Sequence, residues 1–133
     1  MNLEHAMSYV YLVTLLILFE YLVIGYLVSK ARTRFKVKAP AVTGHEGFER
    51  WFRVQQNTIE QLVVVLPAMW IFGYTLSPLW AAALGLAFLV ARGFYAYGYV
   101  QTGGGRHHGF MFGMYATVAL LIGAGIGTLK SLF

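Results

Sequence analysis

The sequence predicts an all-α membrane protein, a four-transmembrane-helix bundle forming a single domain over residues 1–133. Three observations predict it. Of 133 residues, 59% are hydrophobic and only 11% charged, and the mean hydropathy is +0.64. A soluble domain of this length has too little interior to hide so much apolar surface. Approximate spans at 8–28, 46–74, 79–99 and 110–129 are each long enough to cross a bilayer. Nine of the ten Lys and Arg residues fall at one end of those runs, leaving only Lys130 at the other. The net charge of +5 would suit nucleic acid in a soluble protein. Beside membrane spans it reads as a topology signal, so no nucleic-acid partner is expected.

The first span, SYVYLVTLLILFEYLVIGYLV at 8–28, covers about 31 Å at the helical rise. It lacks a basic leader and a small-residue cleavage site, so it is expected to stay as a span. Glu20 lies inside it, where a carboxylate is costly; it should face the bundle and find a partner or a proton. A basic loop at 29–47 carries Lys30, Arg32, Arg34, Lys36 and Lys38, with Pro40 and Gly44 as punctuation. The second helix, 46–74, begins polar and ends apolar. Pro67 lies within it, where a membrane helix tolerates proline with a kink. A short uncharged turn leads to the third span, 79–99, whose alanines and Gly85 suit close helix packing. The second basic loop, VQTGGGRHHG at 100–109, lacks the spacing and lysine of a phosphate loop. Its adjacent histidines diverge and have no third ligand nearby, so a metal site is not expected and a solvated loop is. The fourth span is glycine-rich, at Gly113, Gly123, Gly125 and Gly127. The chain has no cysteine, which excludes a disulfide, a thiol nucleophile and a cysteine metal site.

Chemistry concentrates at the start of the second helix, FERWFRVQQNTIEQLVVVLP at 48–67. Arg53, Asn57 and Glu60 recur at i, i+4 and i+7, so they share one helical face. One reading is an interfacial helix start with solvated charges. The other is a binding face, since ionisable groups at membrane depth mark functional sites. On the third span, Arg92, Tyr95 and Tyr99 also share a face. Tyrosines there suit an aromatic belt, but the arginine beside them does not. With the basic loops on the cytoplasmic side, both termini lie outside, and these residues and Arg106 fall at one depth. Guanidinium forks match carboxylates, Glu60 an ammonium, and Asn57 and Gln55 amide groups. The ligand implied is a small zwitterion with more than one carboxylate and a peptide-like body, with a lipophilic neighbour.

FERWFRVQQNTIEQ, followed by LP and a tryptophan, and then ARGFYAYGY, resembles the MAPEG family of membrane-associated glutathione-metabolism proteins. The likeness extends over nearly the whole chain. Its YAYGY is most similar to the third type of microsomal glutathione transferase; its second-helix motif also resembles the leukotriene synthase and the second-type enzyme. The resemblance implies a homotrimer with glutathione bound between neighbouring subunits on the cytoplasmic side. It implies glutathione contacts at Arg53, Asn57 and Glu60, with Gln55, Tyr95 and Tyr99, an arginine near the subunit boundary at Arg92, and Arg32 at the end of the first helix. Arg106 falls where the family has an arginine that activates the thiol.

The chain departs from the synthase pattern. Thr33 stands where the synthase has a second arginine, which argues against leukotriene chemistry, and Gln61 replaces a tyrosine beside the motif glutamate. The triple glycine before Arg106 loosens that loop. The activity implied is a glutathione transferase, with peroxidase activity as a companion. It would use glutathione as cosubstrate, without a metal, against a lipophilic electrophile or a lipid hydroperoxide, in detoxification. The alternative is a non-catalytic glutathione- or lipid-binding module. A transporter is disfavoured by four short spans without an inverted repeat. A compact, cysteine-free chain suggests a bacterial inner membrane, in contact with membrane lipid.

Overall fold

A computed structural model describes residues 1–101 and 107–133 and the backbone of Arg106. It contains four helices: α1 (Leu3–Arg34), α2 (Glu46–Thr75), α3 (Pro78–Gln101) and α4 (Arg106–Leu132). All four are long and apolar enough to span a bilayer, so the chain is an all-α, multi-pass membrane protein. Among the described residues every helix pair packs together except α1 with α4. The helices α2 and α3 therefore form the centre, flanked by α1 on one side and α4 on the other.

Local sequence explains the helix ends. Asn2 caps α1, its side chain accepting from the His5 amide at 2.8 Å. At the other end α1 runs on to Arg34, so Lys30, Arg32 and Arg34 are helical and not in a loop as the sequence suggested. Cations at a helix C-terminus complement its unpaired carbonyls, which favours that extension. The α1–α2 loop is braced by Arg32, whose Nη1 donates to Ala41 O at 2.8 Å and Val37 O at 3.3 Å. Gly44 there adopts φ 142°, a conformation only glycine takes without strain. His45 caps α2 through Nδ1, which accepts from the Gly47 amide at 2.9 Å. The helix then continues through Pro67, whose side chain is exposed. Ser77 and Pro78 start α3 with a hydroxyl cap, accepting from the Trp80 amide at 3.3 Å, and a proline in the first turn.

The core runs the length of the bundle. Its half remote from the basic end joins Met7, Val10 and Ile17 of α1 to Val65, Met69 and Phe72 of α2, Phe88 of α3 and Leu120 of α4. A second cluster at the basic end joins Ile24 and Val28 to Phe48, Val54 and Tyr95. In lipid such contacts hold helices by close packing, because hydrocarbon on the outside is as apolar as the interior. Large apolar side chains such as Phe19, Leu22, Phe94 and Phe112 are correspondingly exposed. Polar side chains pair across these two helices: Trp70 Nε1 donates to Thr14 Oγ1 at 2.9 Å, and the Tyr11 and Tyr74 hydroxyls meet at 3.1 Å. These bonds tie α1 to α2 in the half remote from the basic end.

Close approach is selective along the small-residue faces. Gly123 and Gly127 let α4 lie against Phe72 and Thr75 of α2, whereas Gly125 faces open space. On α3, Ala81, Ala82 and Gly85 are buried, but Ala83 and Ala87 are exposed. Gly109 is the tightest crossing of backbones. A Cβ there would stand 2.5 Å from Tyr95 N and 2.8 Å from Tyr95 Cα. That contact holds the first turn of α4 against α3. It explains why His107 and His108 lie on a helix and not in the loop expected from the sequence.

Candidate functional site

The motif helix α2 presents different chemistry on different sides. Val54, Thr58, Leu62 and Val65 are buried in the bundle. Arg53 and Glu60 are exposed, and Asn57 lies between them, half-buried. This is the face that the i, i+4, i+7 spacing predicts. Among the described residues the one ion pair within contact distance is Arg50 with Glu46, so Arg53 and Glu60 are not paired to each other. Asn57 Oδ1 is buried and accepts no hydrogen bond from the described residues. A buried acceptor without a donor costs about 1–3 kcal/mol, an expense that a bound donor would remove.

Gln55 faces elsewhere. At about 100° per residue it lies about 200° around the helix from Arg53. Its Nε2 would be 3.2 Å from a Cβ at Gly25 of α1. Together with Leu18, Tyr21, Leu22, Gly25 and Tyr26 it lines a cavity of about 720 Å³ on the α1–α2 flank. Arg32 belongs to the α1–α2 loop, which it braces, and its guanidinium sits 4.6 Å from the centre of the Phe48 ring. A single chain therefore does not gather Arg32 and Gln55 with Arg53 and Glu60. The candidate residues divide between two flanks.

The third-helix residues are placed inward. Arg92 is 2% exposed. Its Nη2 donates to Thr58 Oγ1 at 2.9 Å, and its guanidinium lies 4.1 Å from the centre of the Tyr95 ring. Thr58 in turn donates to Val54 O at 2.7 Å. Glu20 of α1 is half-buried. A Cβ at Gly93 would stand 3.8 Å from Glu20 Oε2, so the carboxylate faces α3. It makes no contact ion pair with Arg92. Tyr95 is 4% exposed. Its ring packs 5.7 Å from Tyr99 and 6.1 Å from Phe110, centre to centre. Tyr99 is half-buried. The structure thus joins Arg92, Tyr95 and Tyr99 to α2 from inside the bundle. Thr58 was not singled out in the sequence. Its position beside Asn57 was the available signal, since a buried arginine needs a partner.

The Arg106 side chain lies outside the described residues; its backbone opens α4. Along the flank between α3 and α4 runs an apolar cavity of about 850 Å³. Ala83, Ala87, Val90 and Phe94 line it from α3, and His108 and Phe112 from α4. Its lining is almost wholly hydrocarbon.

A sequence model of the MAPEG family matches residues 10–126. An uncharacterized protein of Synechocystis is 43% identical over 113 residues, 85% of this chain and 82% of that protein. Human microsomal glutathione S-transferase 2 is 39% identical over 101 residues, 74% of this chain and 69% of the human one. Bovine leukotriene C4 synthase is 37% identical over 75 residues, 56% of this chain and half of the synthase.

Proposed function

The chain belongs to the MAPEG family, and on that premise we propose that it is a membrane-bound glutathione transferase that holds the glutathione thiol as a thiolate. Relatives named glutathione transferases and leukotriene C4 synthase support a glutathione-conjugating activity. The observation that carries the reading to this chain is the α2 face. An arginine and a glutamate stand exposed at the start of a membrane span, flanking an asparagine with a buried, unpartnered oxygen. That set matches a tripeptide with two carboxylates, an ammonium and amide N–H donors.

The division between flanks supports binding between subunits. Arg53, Asn57, Glu60, Tyr95 and Tyr99 form one half of the proposed site. Arg32 and Gln55 form the other, on the opposite side of α2. A cyclic assembly sets one subunit's first half beside the next subunit's second half. The homotrimer of the family resemblance is the assembly proposed. The basic helix ends are proposed to face the cytoplasm, with both termini outside, in a bacterial inner membrane.

Chemistry follows from charge. A free thiol titrates near ~8.5, so little thiolate exists at neutral pH. A guanidinium in contact with the sulfur lowers that by ~1–3 units. Arg106 is the proposed source. The thiolate attacks an electrophilic carbon of a lipophilic substrate, forming a C–S bond and expelling the leaving group with the bonding electrons. Against a lipid hydroperoxide it attacks the terminal oxygen and breaks the O–O bond. The lipid leaves as an alcohol, and a second glutathione completes the disulfide and water. The hydrocarbon-walled cavity between α3 and α4 supports a lipophilic partner. Thr33 supports chemistry other than leukotriene formation.

The test is titration of detergent-solubilised protein with glutathione, followed by turnover with a panel of electrophiles and hydroperoxides. Binding with turnover is expected. Binding without turnover of any substrate would assign the chain to the family's non-catalytic branch.

A further inference from the structure

Arg92 is the least accessible of the described candidate residues, and although its Nε has no hydrogen-bond partner among the described residues, the rest of its guanidinium is held from inside the bundle. Three helices converge on it. From α2, Thr58 Oγ1 accepts its Nη2 hydrogen at 2.9 Å. From α3, the Tyr95 ring lies 4.1 Å from its guanidinium carbon. From α1, Glu20 turns its carboxylate toward the neighbouring Gly93 of α3. Thr58 is 1% exposed, and its hydroxyl is fixed at both ends, accepting from Arg92 while donating to Val54 O.

We propose that Arg92 is a positioning residue that bolts the α2 motif to α3 from inside the bundle and does not itself touch the ligand. The geometry gives it that leverage. Thr58 directly follows Asn57 and lies in the turn between Arg53 and Glu60, so the bond from Arg92 sets the rotation of that face. The same guanidinium packs on Tyr95, whose backbone meets Gly109 and so the start of α4. One buried cation thereby fixes the face of α2, the tyrosine of α3 and the first turn of α4 relative to one another. That Arg92 does not touch the ligand rests on the glutathione reading; its tie between α2 and α3 does not.

Thr58→Val tests it, because it removes the bond with little change of shape at a site no ligand reaches. Under the proposal Thr58→Val and Arg92→Lys each weaken glutathione binding about tenfold, as loss of a hydrogen bond to a charged group implies. The double variant is no weaker than the weaker single one, because both break the same link. If Thr58→Val binds as tightly as the parent while Arg92→Lys does not, Arg92 touches the ligand and the proposal is overturned. A second measurement is independent of any ligand. The chain has no cysteine, so spin labels at Val63→Cys and Phe94→Cys, both exposed positions, report the α2–α3 distance alone. The proposal expects a distance distribution that broadens or shifts in Thr58→Val. An unchanged distribution overturns it even where glutathione fails to bind; failure of glutathione to bind the parent protein, with a changed distribution, removes only the functional reading.

Discussion

Asn57 carries a cost in the unliganded protein that the proposed site would recover. Its Oδ1 is buried without a donor among the described residues, which costs about 1–3 kcal/mol in the unliganded protein. Asn57→Leu is therefore expected to leave the melting temperature equal or higher, and to weaken glutathione binding about tenfold or more. A fall in melting temperature with binding intact would make Asn57 a structural residue. Arg53→Ala and Glu60→Gln should weaken binding further, by about a hundredfold, because each removes one partner of a charged contact; calorimetric titration reads it. The face that carries these three residues was legible from their spacing alone. The partner of Arg92 was not. Thr58 lies 34 positions away in sequence, and a threonine in a membrane helix ordinarily satisfies itself on its own backbone.

At the scale of elements, the four spans were legible because membrane depth imposes both length and hydropathy. Their ends were less so, since a helix stops where caps and packing dictate rather than where polarity begins. Basic residues read as loop extend α1 to Arg34, and the histidines beside Gly109 open α4. Gly109 bears the crossing of α4 over Tyr95. Gly109→Val should destabilise the bundle by about 1–3 kcal/mol, the usual cost of overpacking. Gly125→Ala, with nothing within 4 Å of its added carbon, should change stability by less than about 0.5 kcal/mol. Thermal unfolding in one detergent compares the two; equal effects would mean that the α3–α4 crossing is not a tight one.

For the whole molecule, hydropathy and charge disclosed the class, and the two-residue step from Arg53 to Gln55 already set them on opposite sides of a helix, but which neighbour Gln55 turns toward was not legible. That division follows from Gln55 turning toward Gly25 while Arg53 and Glu60 turn outward. It predicts complementation. Subunits carrying Glu60→Ala and subunits carrying Gln55→Ala with Arg32→Ala each bind glutathione poorly alone. Co-assembled in equal amounts they should regain intact sites at about one quarter of interfaces, as random pairing of heterologous faces requires. No recovery would place both halves of the site within one subunit. The most direct test of the account is the ultraviolet thiolate absorbance of glutathione bound to the purified protein at neutral pH, measured beside Arg106→Ala. The account predicts a thiolate signal in the parent protein and its loss in the variant, with glutathione still bound. Bound glutathione that remains a thiol in the parent protein would contradict it.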